Sequence, residues 1–267
     1  MSGAQFAMRT TESAVSLNRV LNRRPWVLCN DPFPHIRAEE VFIPEFYREL
    51  ETAFEEILGD SGSPTWPEAR LTRNMPGYDA FGADFDTRVR WPLSFLQSRE
   101  WHDFLARLFA VDAVGCMSVA LHHHSIGSRD GFAHNDLNPG WFVRTGADID
   151  IPRGDMCHYR TGAPANANVR PVEMIRGVAL VYYLNNLPWQ PGDGGETGLF
   201  RAPYDVHPVV SVPPINNSLV AFECTPQSFH AFRSNHRYPR NSISSWVHRD
   251  KSTVVARWGE AAIVRWR

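Results

Sequence analysis

The chain has 267 residues, 43% of them hydrophobic, enough to bury a sizeable core in one fairly large domain. A formal net charge of −2 gives no reason to expect nucleic acid or an anionic membrane as partner, and no apolar run is long enough to span a bilayer. Four scattered cysteines, Cys29, Cys116, Cys157 and Cys224, form no Cys-x-x-Cys pair, which argues against a disulfide framework and for a reduced, cytoplasmic setting. Lys251 is the single lysine among 27 basic residues; this bias fits GC-rich coding and hints at bacterial specialised metabolism.

Residues 1–24 are polar and lack the continuous apolar core of a signal peptide, so they are expected to form a mobile or loosely docked leader to a single domain over 25–267. Phe46, Leu50, Phe54, Ile57 and Leu58 recur at helical spacing and predict an amphipathic helix over 44–58. Residues 59–90, rich in Gly, Pro, Asp and Arg, read as a long loop. Of its arginines, Arg70, Arg73, Arg88 and Arg90, Arg73 is carried forward as a substrate candidate, against the ordinary alternative of solvated surface charge. A second helix is predicted over 93–109, with an aromatic buried side that reads as core. Residues 114–124 alternate as a strand and end in His122-His123-His124; neighbouring strand residues face opposite ways, so these three cannot ligate one ion together.

The chemistry centres on His134-Asn135-Asp136. A histidine and an aspartate two apart on a strand share a face, and His230 can close three corners around one metal ion. Two histidines and one carboxylate leave three coordination positions open, which suits ferrous iron holding a bidentate cosubstrate and dioxygen better than structural zinc. Ten residues beyond His230, Arg240 supplies a fixed cation of the kind a dicarboxylate requires, and Ser242 shares its strand face. Residues 138–176 interrupt the pattern with Gly, Pro and Asn. An apolar strand over 178–185 then leads to the Gly192-Asp193-Gly194-Gly195 turn, and further strands are predicted over 209–213, 218–223 and 240–247.

Four features taken in this order, His134-x-Asp136, Val181-Tyr182-Tyr183-Leu184-Asn185 leading to Gly194-Gly195-Glu196-Thr197, Leu219-Val220-Ala221-Phe222 before His230, and Arg240-x-Ser242, resemble the Fe(II)/2-oxoglutarate-dependent oxygenase superfamily in its prolyl 4-hydroxylase-like branch. The likeness runs from about Pro32 to Val247. It implies a mainly β fold with flanking α-helices, a double-stranded β-helix or jelly-roll, cupin-like barrel. It further implies Fe(II) on His134, Asp136 and His230, with 2-oxoglutarate and O2 as cosubstrates. By the family pattern Tyr183 points inward and donates its hydroxyl to the distal carboxylate beside Arg240 and Ser242, while Tyr182 packs outward. His124 stands where relatives often place a polar group near the cosubstrate. Glu196 and Thr197 need no role beyond a hairpin.

The resemblance also implies a lid over the substrate from residues 138–176, whose Trp141, Arg144, His158, Tyr159 and Arg160 are best able to read a substrate; an external hairpin is the alternative. The expected activity is hydroxylation of an unactivated C–H bond of a small molecule, an amino acid or natural-product intermediate, with release of succinate and CO2. A peptidyl or protein side-chain hydroxylase of the prolyl hydroxylase type, and a catalytically silent or cupin-like barrel acting as a binding module, are the alternatives. Asp136 as a ligand argues against halogenation, for which relatives carry a small residue there.

Overall fold

A computed structural model describes residues 16–58, 70–72 and 80–265. Arg73, the substrate candidate of the long loop, lies outside them. The elements in order are α1 (Leu17–Val20), β1 (Val27–Cys29), β2 (His35–Ala38), α2 (Pro44–Leu58), β3 (Arg70–Thr72), β4 (Ala80–Asp84), a 3-10 turn (Leu93–Gln97), α3 (Arg99–Leu108) and β5 (Ala113–His124). There follow β6 (His134–Asn135), β7 (Pro139–Phe142), β8 (Val172–Tyr183), β9 (Thr197–Phe200), β10 (Val210–Val212), β11 (Ser218–Glu223), β12 (Phe229–Phe232), β13 (Arg240–Asp250) and α4 (Lys251–Trp258).

The strands form two antiparallel sheets. The larger runs β1-β2-β11-β8-β13-β5-β4-β3, with β7 added against β8, and the smaller runs β10-β9-β12-β6. Facing each other, they make the expected jelly-roll barrel.

Side-chain alternation divides the core in two. On β8, Val178, Leu180 and Tyr182 join the outer cluster with Phe42, Phe46, Leu50, Phe54, Trp101 and Leu105, so α2 and α3 bury their apolar stripes against the back of the large sheet. Ala179 and Tyr183, one residue out of step, face the interior with Leu199, Val220 and Phe222. Each fully buried large side chain contributes roughly 1.5–3 kcal/mol, so α2 fixes the sheet that carries the site.

α2 occupies the span that the apolar spacing predicts. The second predicted helix is instead two pieces, because Ser98 is extended (φ −75°, ψ 156°) and its hydroxyl accepts the Trp101 amide, capping α3 afresh. Within the expected leader, Val20 is buried and Leu21 bridges to Phe42, so residues 17–21 are docked rather than mobile. Residues 138–176 are not all loop: β7 pairs with the first residues of β8, matching Pro139 with Ile175 and Phe142 with Val172. The insertion therefore extends the large sheet.

Candidate metal and cosubstrate site

His134 and His230 are direct partners in the β6–β12 ladder, which sets their rings 4.4 Å apart between centroids. His134 Nε2 lies 3.7 Å from Asp136 Oδ1, and His230 Nε2 lies 3.5 Å from Asp136 Oδ2. The three ligand atoms all lie within 4.8 Å of one another. Both imidazoles are held through Nδ1, His134 by the Phe132 carbonyl at 3.0 Å and His230 by the Ser228 carbonyl at 3.2 Å. A carbonyl only accepts, so each Nδ1 carries the proton and each Nε2 offers its lone pair to the shared centre.

β6 ends at Asn135, so strand alternation alone does not deliver Asp136. Instead the Leu137 and Asn138 amides turn back onto the Asn135 and Asp136 carbonyls at 2.7 Å each. The carboxylate is then gripped from both sides: Arg176 donates to Oδ1 at 2.7 Å, and Trp246 Nε1 donates to Oδ2 at 2.6 Å. Arg176 also stacks over the Trp246 ring at 3.8 Å. Burial by itself would raise the Asp136 carboxyl, but the Arg176 guanidinium, followed by the two histidines, holds it well below the usual carboxylate range. His134 is pushed down to about 4, by its enclosure in the site and then by His230. An anionic oxygen and two imidazole Nε2 lone pairs converging on one point, buried at Asp136 and His230 and half-open at His134, form the donor set that Fe(II) takes.

The cosubstrate end lies on one face of three adjacent strands. Ser242 is paired with Tyr183 on one side and His122 on the other, and Arg240 is paired with His124. Arg240 is only 5% exposed. It donates to Ser242 Oγ at 2.9 Å and to Thr197 Oγ1 at 3.1 Å, and the Tyr183 hydroxyl donates to the same Thr197 oxygen at 2.6 Å. Its Nε has no partner, and no carboxylate pairs with it among the described residues. A guanidinium enclosed by neutral hydroxyls is a costly arrangement unless an anion joins it, so the residues present fit the carboxylate of 2-oxoglutarate. Burial raises the Tyr183 phenol, against the opposing pull of Arg240, which keeps it a donor.

Several assignments stand differently from the sequence reading. Thr197 is the shared oxygen between Arg240 and Tyr183 rather than a mere hairpin residue; its place in the Gly194-Gly195-Glu196-Thr197 run was the available signal. Arg176 and Trp246, which hold Asp136, were not singled out, and nothing local marks them. His124 lies on the Arg240 face as expected, its ring stacked on Phe232 at 4.0 Å. His122, on the same face, is pushed down to about 4 by burial and then by Arg240, whereas His123 turns outward to Asn241 at 2.7 Å.

The substrate candidates of the insertion are not brought together at the metal. Arg144 pairs with Asp150 at 2.7 Å, the Trp141 ring covers Gly162, and His158 Nδ1 accepts the Arg160 amide at 3.3 Å, contacts that tie the segment to itself. Tyr159 alone reaches into the barrel, where its hydroxyl meets His248 Nε2 at 2.9 Å and Ser118 Oγ at 3.1 Å.

With this geometry in place, comparison with known proteins is informative. Residues 156–248 match the family model described as the 2OG-Fe(II) oxygenase superfamily, a span that includes Arg176, Tyr183, His230, Arg240 and Trp246. No curated protein sequence matches the chain. Among solved structures, a Pseudomonas putida prolyl-4-hydroxylase superposes with a TM-score of 0.52 at 15% identity, covering 80% of this chain and 92% of that one. A Trichoplax adhaerens prolyl hydroxylase, solved in complex with a hypoxia inducible factor oxygen degradation domain peptide fragment, gives 0.52 at 14% identity, covering 84% and 86%. At such identity the superpositions speak for the fold. The matched family uses Fe(II), 2-oxoglutarate and O2, and the match over residues 156–248 agrees with the barrel fold and with a His134, Asp136, His230 set able to hold a metal ion.

Proposed function

We propose that this protein is a 2-oxoglutarate-dependent dioxygenase that hydroxylates an unactivated C–H bond of a small molecule, such as an amino acid or a natural-product intermediate, in the cytoplasm. The observation that carries the reading is Arg240, buried without a carboxylate partner among the described residues, on the same barrel interior as the three side chains able to hold a metal. His134, Asp136 and His230 would hold Fe(II); Arg240, Ser242, Thr197 and Tyr183 would hold the distal carboxylate of 2-oxoglutarate, with His124 and His122 beside it. Bound iron supplies dioxygen activation coupled to decarboxylation of 2-oxoglutarate to succinate and CO2. The chain's own contribution is to orient the donors, neutralise the dicarboxylate and place one C–H bond nearest the metal.

A small molecule is favoured because Tyr159, from the insertion that follows Asp136, reaches into the barrel interior beside Arg176, which holds Asp136. A peptide is the second reading, and one observation supports it: Phe132 is 65% exposed while its ring packs 5.3 Å from His134, leaving an apolar rim beside a metal ligand. Succinate release from the Fe(II)-loaded protein, measured over a panel of free amino acids, secondary metabolites and proline-containing peptides, separates the two. Stimulation by small molecules alone is expected; stimulation by peptides alone selects the second reading. No 2-oxoglutarate binding by the Fe(II)-loaded protein would exclude both.

A further inference from the structure

We propose that Tyr159, in the insertion between Asp136 and the main part of β8, is a positioning residue for the metal centre, acting through Arg176 on Asp136. The proposal rests on the assignment of His134, Asp136 and His230 as metal ligands.

Asp136 sits beyond the end of its strand and depends on side-chain contacts for its orientation. Arg176 supplies one of them, and it is itself buried, held on one face by the Trp246 ring. A guanidinium is long and rotatable, so something must fix its other donors if it is to fix Asp136. The Tyr159 hydroxyl is anchored by Ser118 on β5 and by His248 on β13, the ladder partner of Arg176, and so lies where it interacts with the guanidinium. Burial, followed by the Arg176 charge, pushes His248 down to about 3. A neutral imidazole can accept the phenol proton at Nε2, which leaves the tyrosine lone pairs for Arg176 and Ser118.

The backbone is shaped to admit this ring. A Cβ at Gly140 would stand 2.5–2.8 Å from Tyr159 ring and hydroxyl atoms, so any side chain there would push the tyrosine ring out of place. The Trp141 amide also donates to the Tyr159 carbonyl at 2.8 Å, and Phe142 and Met174 pack in the same small cluster as Tyr159. The insertion thus presents Tyr159 from a turn whose carbonyl is tied to β7, and its hydroxyl meets β5 and β13 beside Arg176 of β8. Contacts of this outer kind commonly govern metal affinity by about 10–100-fold.

The test is a double-mutant cycle on metal affinity. Fe(II) binding is measured anaerobically by chelator competition for the wild type, Tyr159→Phe, Arg176→Met and the double variant, with thermal melts alongside. Tyr159→Phe keeps the ring and should weaken Fe(II) about tenfold, while 2-oxoglutarate affinity at saturating metal, read from the metal-to-ligand charge-transfer band, stays near wild type. On the Arg176→Met background the same substitution should have little further effect. Additive losses, or an unchanged Fe(II) affinity in Tyr159→Phe, would overturn the proposal, and a raised substrate KM with unchanged metal affinity would return Tyr159 to substrate recognition. If Arg176→Met fails to fold, Gly140→Ala serves as the second variant, because it displaces the tyrosine without touching Arg176, and it should lose metal affinity like Tyr159→Phe. A wild type that does not bind Fe(II) would instead refute the ligand assignment itself.

Discussion

Arg240 separates the proposed oxygenase site from a generic metal barrel, because among the described residues its buried guanidinium meets hydroxyls and aromatic rings and no carboxylate. Arg240→Ala should weaken 2-oxoglutarate binding at a cost of roughly 2–5 kcal/mol, about thirty-fold or more in affinity, while Fe(II) stays bound. Lysine should restore only part of this, since a point charge cannot reproduce the planar two-pronged grip. An anaerobic titration of 2-oxoglutarate followed by the charge-transfer band reads both; an unchanged midpoint in Arg240→Ala would mean that another residue is the anchor. His134 and His230 have the opposite signature. In the proposed site each provides one of three protein ligands, so His134→Ala or His230→Ala should abolish tight Fe(II) binding and turnover together. Metal retention by either variant, measured by elemental analysis after gel filtration, would argue against the ligand set.

At the scale of elements, the site depends on how β9 is delivered to β13. The turn before β9 brings Gly194 to φ +79°, where a Cβ would come within 2.0 Å of the Ser234 carbonyl oxygen, and the Gly195 amide donates to that same carbonyl. Only glycine accepts both the dihedral and the approach. Gly194→Ala should therefore cost more than about 1 kcal/mol of stability and move Thr197 away from Arg240. The expected result is a lower unfolding midpoint in denaturant together with a raised 2-oxoglutarate Kd; a variant with both values of the wild type would show that the turn tolerates a side chain. β8 is the other critical element. It carries Arg176 near one end and Tyr183 at the other, so one strand spans the metal contact and the cosubstrate contact.

For the whole molecule, the proposed function gives the barrel two ligands that the unfolded chain cannot hold in the same geometry, so occupancy should stabilise the fold. At a free ligand concentration one hundred times Kd the gain is about 2.7 kcal/mol, a rise of several degrees in Tm for a chain of this size. A redox-inert divalent ion such as Mn(II) should raise Tm, 2-oxoglutarate should raise it further, and a chelator should reverse both steps. Arg240→Ala should keep the first increment and lose the second. No shift with metal in the wild type would count against a preformed site. Among the described residues no helix is long and apolar enough to cross a membrane.

The sequence by itself carried the chemistry proposed for the site. His134, Asp136, His230 and Arg240 are residue types with few other shared purposes, and the family resemblance set Tyr183 inward and Tyr182 outward, as the sheet shows. It also determined α2, because apolar spacing over 15 residues is a local signal. Only the tertiary structure decided what steadies those groups. Arg176 meets Asp136 across 40 positions, Trp246 across 110, and Thr197 meets Arg240 across 43. Such contacts arise from strand pairing between distant segments, which leaves no periodicity in either segment alone. The same reason explains residues 138–176, whose Gly and Pro content reads as loop although β7 finds its partner in the start of β8. Ser98 shows the smaller case: an apolar face continues through 93–109, but a capping hydroxyl in extended backbone divides the helix, and that choice depends on how the two pieces pack against the sheet.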